Sequence, residues 1–98
     1  MNNLRVSIVQ GETRWHDPAG NRSHYGELIA PLHGTTDLVV LPETFTSGFS
    51  NDAIGDAETM HGPTVAWMRE QAVKLDAAVT GSVQLRTDAG VFNRMLFA

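Results

Sequence analysis

The stretch DLVVLPETFTSGFS, residues Asp37 to Ser50, contains the pattern on which the fold prediction depends. Leu38 to Leu41 is a continuous apolar run, as in strands that are buried on both faces. Pro42 has no backbone donor and favours an extended conformation in the residue before it, so the strand is predicted to end there. Glu43 is therefore the first side chain beyond the carboxyl end of a buried strand.

Alternating strand and helix patterns flank this stretch. The first strand has the apolar–polar alternation of a strand with one buried face. Asp17-Pro18 is a turn signal, and Asn21 is expected to cap the first helix. The order β-α-β-α-β-β predicts an α/β layered fold with a mainly parallel sheet. Around strand 38–41, the predicted elements are strand Leu4–Gln10, helix Asn21–Leu32, a helix that begins at Pro63, strand Ala77–Gln84, a tight turn Thr87–Gly90 and strand Val91–Ala98.

Composition excludes several classes of protein. The chain has 98 residues, 42% of them hydrophobic, and a net charge of −4 with seven scattered basic residues. Since there is no basic patch, nucleic acid is not an expected partner. Met1 to Gln10 has neither the pattern of a signal peptide nor the length of a membrane span. Cysteine is absent, which argues against a disulfide scaffold and is compatible with a cytoplasmic protein.

Glu43 is the main candidate for a functional residue. Ligands of open α/β sheets bind at the carboxyl ends of the strands, where this carboxylate is expected. Phe45 and Phe49 are candidates to line a substrate pocket and to desolvate Glu43, which favours its action as a base. The alternatives are that both phenylalanines pack in the core, and that Glu43 caps the turn or accepts hydrogen bonds from loop amides.

Other residue types give less support for a catalytic or cofactor site. The four histidines lack the spacing typical of a metal site. No glycine-rich nucleotide-binding motif is present either. Together, the histidine spacing and the missing motif mean that neither a metal nor a nucleotide cofactor is expected. Ser47 and Ser50 follow Glu43, but neither lies in a G-x-S-x-G elbow, and loop hydrogen bonding is their expected role.

Four segments together resemble the nitrilase, or carbon–nitrogen hydrolase, superfamily. In chain order they are LRVSIVQ, DLVVLPETFTSGFS, GPTVAWMREQAVKLDAAVTGSV and FNRMLFA. PETFTSGFS resembles the ω-amidase branch, which hydrolyses the side amide of small 2-oxo dicarboxylic acid monoamides. The resemblance implies an αββα sandwich, often dimeric through its helical faces, and a small-molecule amide substrate. It also implies that Glu43 is the general base of a Glu-Lys-Cys triad.

The sequence departs from this family by lacking two members of the triad. It contains no cysteine, and its one lysine, Lys74, is predicted to lie on the solvated face of the second helix. In the family, the catalytic lysine and cysteine lie further along the chain than Ala98. Residues 1–98 are therefore interpreted as the N-terminal part of a longer carbon–nitrogen hydrolase domain, inactive by itself.

Two alternatives to an ω-amidase stay open. The first is another member of the same superfamily, an amidase, nitrilase or carbamoyl hydrolase that uses the same base on another substrate. The second is a small non-catalytic α/β binding module. The length of the reading frame and a downstream cysteine after a strand distinguish the enzymes from the module.

Overall fold

The computed structural model, which describes residues 3–48 and 57–98, contains one four-stranded sheet and two α-helices. A short 3₁₀ turn, Ala30–Leu32, follows the first helix. The elements in chain order are β1 (Val6–Ile8), α1 (Pro18–Ile29), β2 (Leu38–Val40), α2 (Pro63–Leu75), β3 (Ala78–Thr87) and β4 (Gly90–Phe97).

The strand order in the sheet is β1-β2-β3-β4. β1 pairs with β2 and β2 with β3 in parallel, whereas β3 and β4 form an antiparallel hairpin. This arrangement confirms the predicted α/β fold and its mainly parallel sheet. Because three neighbouring strands run in the same direction, their carboxyl ends lie along one edge of the sheet.

The core lies between both helices and one face of the sheet. Alternate strand residues point to this face. Burial of such apolar side chains contributes about 25 cal/mol per Å² to stability. The buried cluster contains Tyr25 and Ile29 from α1, Met68 and Leu75 from α2, and Val39, Val79, Val83 and Leu85 from the strands.

The opposite face of the sheet carries exposed apolar side chains. In β4, Met95 is 70% exposed and Phe97 is 73% exposed. In and before β1, Leu4, Val6 and Ile8 are between 47% and 76% exposed. The apolar–polar alternation of the first strand predicted that its apolar side chains are buried. In the structure, the apolar side chains of β1 point instead to the face of the sheet without helices. We call this surface, made by these five side chains, the open face.

The first helix begins earlier than the sequence pattern predicted. Asp17 is the N-cap, because its side chain accepts a hydrogen bond from the Gly20 amide at 3.1 Å, and Pro18 occupies the first turn. The prediction that Asn21 caps the helix is wrong, because Asn21 lies inside α1 and is buried. The α-helix ends at Ile29, before Pro31, which lacks the donor that would continue it.

The first strand, Val6–Ile8, is shorter than the predicted Leu4–Gln10. The remaining boundaries follow the predictions more closely. α2 begins at Pro63 as expected, and its apolar residues Met68, Ala72 and Leu75 face the core. β3 continues to Thr87, beyond the predicted end at Gln84, because its hairpin with β4 is paired up to the turn. Gly90 closes this turn with φ of +131°, in a region that L side chains rarely adopt.

An exposed ion pair joins the starts of β1 and β2. Arg5 donates to Asp37 from its backbone amide at 2.8 Å, from Nε at 3.2 Å and from Nη2 at 3.0 Å. The side-chain and backbone hydrogen bonds from Arg5 hold the pKa of Asp37 below its ordinary value of 3.8.

This lowered pKa predicts a pH dependence of stability. The contribution of Asp37 is complete above the unfolded pKa of about 3.8. It is lost as the pH falls through the lower folded value. Asp37→Asn in the complete protein is therefore expected to reduce the fall in melting temperature between neutral and acidic pH, whereas Asp88→Asn in the exposed hairpin turn leaves it unchanged. Equal slopes for the two variants in thermal scans from pH 7 to 2.5 would contradict this.

Candidate active site

Glu43 lies at the carboxyl edge of the sheet, immediately beyond the end of β2. β2 ends at Val40 in its ladder pairing, and the Leu41 amide makes one more bond to the Thr80 carbonyl at 2.8 Å. Glu43 is the only exposed residue between Leu41 and Gly48. One carboxylate therefore projects from a segment whose other members are buried or half-buried.

The backbone after Glu43 forms a compact turn. The amides of Ser47 and Gly48 both donate to the Thr44 carbonyl, at 3.2 and 2.9 Å. Thr44 has a left-handed backbone with φ of +47°, which is unusual for a β-branched residue. Its amide donates to Oγ of Ser82 in β3 at 2.8 Å. We call residues 43–48 the acid turn.

Asn21 fixes the far side of the acid turn. Its amide group donates to the Thr46 carbonyl at 2.8 Å and to the Arg14 carbonyl at 2.6 Å, while its Oδ1 accepts from the Arg14 amide at 2.8 Å. The His16 amide also donates to the Ser47 carbonyl at 3.0 Å. The loop after β1 and the acid turn are thus held together by a buried side-chain amide.

Phe45 anchors the acid turn in the core. It is fully buried, and its ring lies 6.0 Å from the ring of Tyr25 and 5.6 Å from that of Trp67. It also packs closely against Gly81, where an added Cβ would lie 3.1 Å from the ring. Packing is therefore the role that the structure shows, and lining a substrate pocket stays a prediction. Phe49 lies outside the described residues.

The Glu43 carboxylate has no hydrogen bond or ion pair with residues 3–48 or 57–98. It therefore does not cap the acid turn within these residues, although capping was the alternative to a catalytic role. Phe45 points into the core and leaves the carboxylate exposed, so the expected apolar cover is not provided by this ring.

A second carboxylate, Glu58, has a structural environment. Its backbone bridges to Leu85 beside β3, and its side chain accepts hydrogen bonds from the Thr64 amide at 2.8 Å and from the Thr64 hydroxyl. Arg22 of α1 pairs with it at 3.4 Å, and both side chains are less than one-fifth exposed. Glu58 thus ties α1 and the start of α2 to the sheet.

Lys74 lies where the sequence predicted. It is 62% exposed on α2 and pairs with Glu70 one turn earlier, with its Nζ 2.9 Å from the carboxylate. Within the two described ranges, no three His, Asp or Glu residues are grouped so that they could hold a metal ion. Neither helix in the described part of the chain has the length and apolar character that crossing a bilayer requires.

The carbon–nitrogen hydrolase family model matches residues 5–98. Over 96 residues the chain is 34% identical to omega-amidase YafV of Escherichia coli, covering 98% of this chain and 37% of that protein. The chain thus spans little more than a third of the length of this curated relative.

Solved structures give the same pattern of coverage. A CN-hydrolase superfamily protein of Xanthomonas campestris, crystallised with an arsenic adduct in its active site, is 70% identical to this chain. The two superpose with a TM-score of 0.97 over 100% of this chain and 37% of that one. A nitrilase-superfamily protein of Saccharomyces cerevisiae, 22% identical with a TM-score of 0.83 over 96% of this chain and 39% of that one, shares the fold.

Proposed function

Because the chain belongs to the carbon–nitrogen hydrolase family, we propose that the complete protein is an ω-amidase, which hydrolyses the side amide of small 2-oxo dicarboxylic acid monoamides. The observation that carries the proposal is the state of Glu43. Its carboxylate is exposed and makes no hydrogen bond or ion pair with the described residues, whereas the backbone around it is held by buried contacts. An acid displayed in this way is available to exchange protons with a substrate.

In the proposed mechanism, Glu43 is the general base of a Glu-Lys-Cys triad. It takes the proton of a cysteine thiol, and the thiolate attacks the amide carbonyl to form a tetrahedral oxyanion. Glu43 then returns the proton to the leaving nitrogen, so that the C–N bond breaks and ammonia departs. It next deprotonates the water that hydrolyses the thioester, which releases the acid and regenerates the thiol.

The other two members of the triad belong to the remainder of the complete protein. A lysine ammonium would stabilise the oxyanion, and a cysteine would supply the nucleophile. Lys74 is paired with Glu70 on the exposed side of α2, so it is not a candidate for this role. The proposed chemistry requires no cofactor.

Residues 1–98 are proposed to be the N-terminal part of one longer domain. The open face supports this, since five large apolar side chains are exposed on a sheet whose other face is packed. A second layered unit on this face would complete an αββα sandwich. We further propose a cytoplasmic enzyme that forms a homodimer.

The substrate proposal is tested by assaying the complete protein on a panel of amides, with ammonia release as the readout. An ω-amidase is expected to prefer 2-oxo dicarboxylic acid monoamides by at least ~10-fold in kcat/KM over carbamoyl compounds, and also over simple aliphatic amides and nitriles, which lack the acid group that would orient the substrate. Preference for a nitrile or carbamoyl compound would assign another activity of the family. No turnover on any compound would favour the binding module.

A further inference from the structure

We propose that Ser82 is a positioning residue for the reaction, which fixes the direction of the Glu43 carboxylate through the backbone of the acid turn. This inference rests on the proposed function of Glu43. Ser82 lies in β3, 38 positions along the chain from Thr44, and is 5% exposed. Its Oγ accepts the hydrogen bond of the Thr44 amide at 2.8 Å.

The bond acts on the peptide group that Glu43 itself contributes to. The amide that Ser82 holds belongs to the peptide unit joining Glu43 to Thr44. The carbonyl of the same unit, that of Glu43, accepts a hydrogen bond from the Thr44 hydroxyl at 2.8 Å. Because a peptide unit is planar, holding both of its polar groups fixes the plane and thus the backbone rotation next to the Glu43 Cα. That rotation sets the direction of the Cα–Cβ bond from which the acidic side chain projects.

The local conformation needs this support. Thr44 is left-handed, which a β-branched residue adopts only when its surroundings impose it. Without the Ser82 oxygen, the buried Thr44 amide would have no hydrogen-bond acceptor at this position. A rearrangement of the turn that gives this amide another acceptor would then lower the free energy. A rearranged turn would move the carboxylate relative to the substrate, and misplacement by 1 Å can cost about 10²-fold in rate.

The same strand provides a matched comparison. Thr80 lies two residues before Ser82, on the same face of β3, and is 9% exposed. Its hydroxyl makes a partly buried hydrogen bond to a backbone group, the Leu96 carbonyl at 2.6 Å, but that partner is in β4. Removing either hydroxyl costs one hydrogen bond to a backbone group inside the protein, and only the Ser82 hydroxyl contacts the acid turn.

The experiment compares Ser82→Ala with Thr80→Val in the complete protein. Ser82→Ala is expected to lower kcat by ~10–100-fold with KM changed less than ~2-fold, because the base is misplaced while the binding pocket is kept. Thr80→Val is expected to lower the melting temperature by a similar amount with kcat within ~2-fold of the parent. Ser82→Thr keeps the hydroxyl and is expected to retain activity. Ser82→Val, in which valine has the shape of threonine without its hydroxyl, is expected to lower kcat as Ser82→Ala does. This second pair decides the question if Ser82→Ala does not fold.

A double variant tests whether Ser82 acts through Glu43. In a Glu43→Gln background, Ser82→Ala is expected to lower kcat by less than ~2-fold more, since no base is left to misplace. Equal kcat losses for Ser82→Ala and Thr80→Val, or additive losses in the double variant, would overturn the inference and leave the proposed function intact. Near-normal turnover by Glu43→Gln alone would instead defeat the proposed function and this inference with it.

Discussion

Replacement of Glu43 by glutamine in the complete enzyme is expected to lower kcat by ~10²–10⁴-fold, the usual contribution of a general base. Because the proposed mechanism uses this one group in both the acylation and the hydrolysis of the thioester, the loss is expected toward the upper end of that range. The amide is nearly isosteric with the carboxylate, and Glu43 makes no hydrogen bond within the described residues that the change would break. The variant should therefore keep its melting temperature and its substrate KM.

The measurement is kcat together with thermal stability for the same variant. Glu27→Gln, at an exposed position on α1, is a matched control for the loss of one negative charge and should leave both quantities unchanged. A structural cap would show the reverse pattern, with near-normal turnover and a loss of stability of ~1 kcal/mol. That result would make Glu43 a structural residue and defeat the mechanism.

The isolated 98-residue chain is expected to release no ammonia from any amide on the panel. It contains no cysteine, and its lysine is occupied on the exposed side of α2. It would thus lack both the nucleophile and the cation of the proposed triad. A lone carboxylate does not provide the covalent route of the proposed mechanism, so no activity above the detection limit is expected.

This second prediction is checked by assaying purified residues 1–98 beside the complete protein at equal concentration. The same segment carrying Glu43→Ala measures contaminating activity. Ammonia release above that background would mean that these residues contain a complete site of another kind, and the triad would then be the wrong mechanism.

The position of Glu43 was predictable because it depends on local chemistry. A proline directly after an apolar run ends the strand, and the next side chain is delivered to the sheet edge whatever surrounds it. The mainly parallel sheet was predictable for a similar reason, since helices between successive strands favour parallel neighbours. Both predictions use only residues close together in the chain.

The contacts that hold the acid turn were not predictable in this way. Asn21 was interpreted as a helix cap because it precedes an apolar helical pattern, and nothing local indicates a bond to Thr46. Ser82 gave no signal at all, because its partner is 38 residues away in the chain. Such contacts follow from the packing of the turn on β3, which periodicity does not describe.

The alternation in β1 shows a different limit. The pattern correctly indicated that apolar side chains share one face, but it does not indicate which face the helices cover. Leu4, Val6 and Ile8 point away from both helices, so the apolar positions lie on the open face. The structure of residues 3–48 and 57–98 was needed to assign the direction.

The open face has a consequence for how the protein is made in the cell. Translation proceeds at ~5–20 residues per second, and N-terminal segments begin to fold while later ones are still being synthesised. This chain spans 37% of the length of its relative from Escherichia coli. If the complete protein has the same proportions, Met95 and Phe97 stay exposed for roughly ten seconds or longer while the remainder is synthesised. During that interval the nascent chain exposes an apolar β surface, which favours association with neighbouring chains on the polysome.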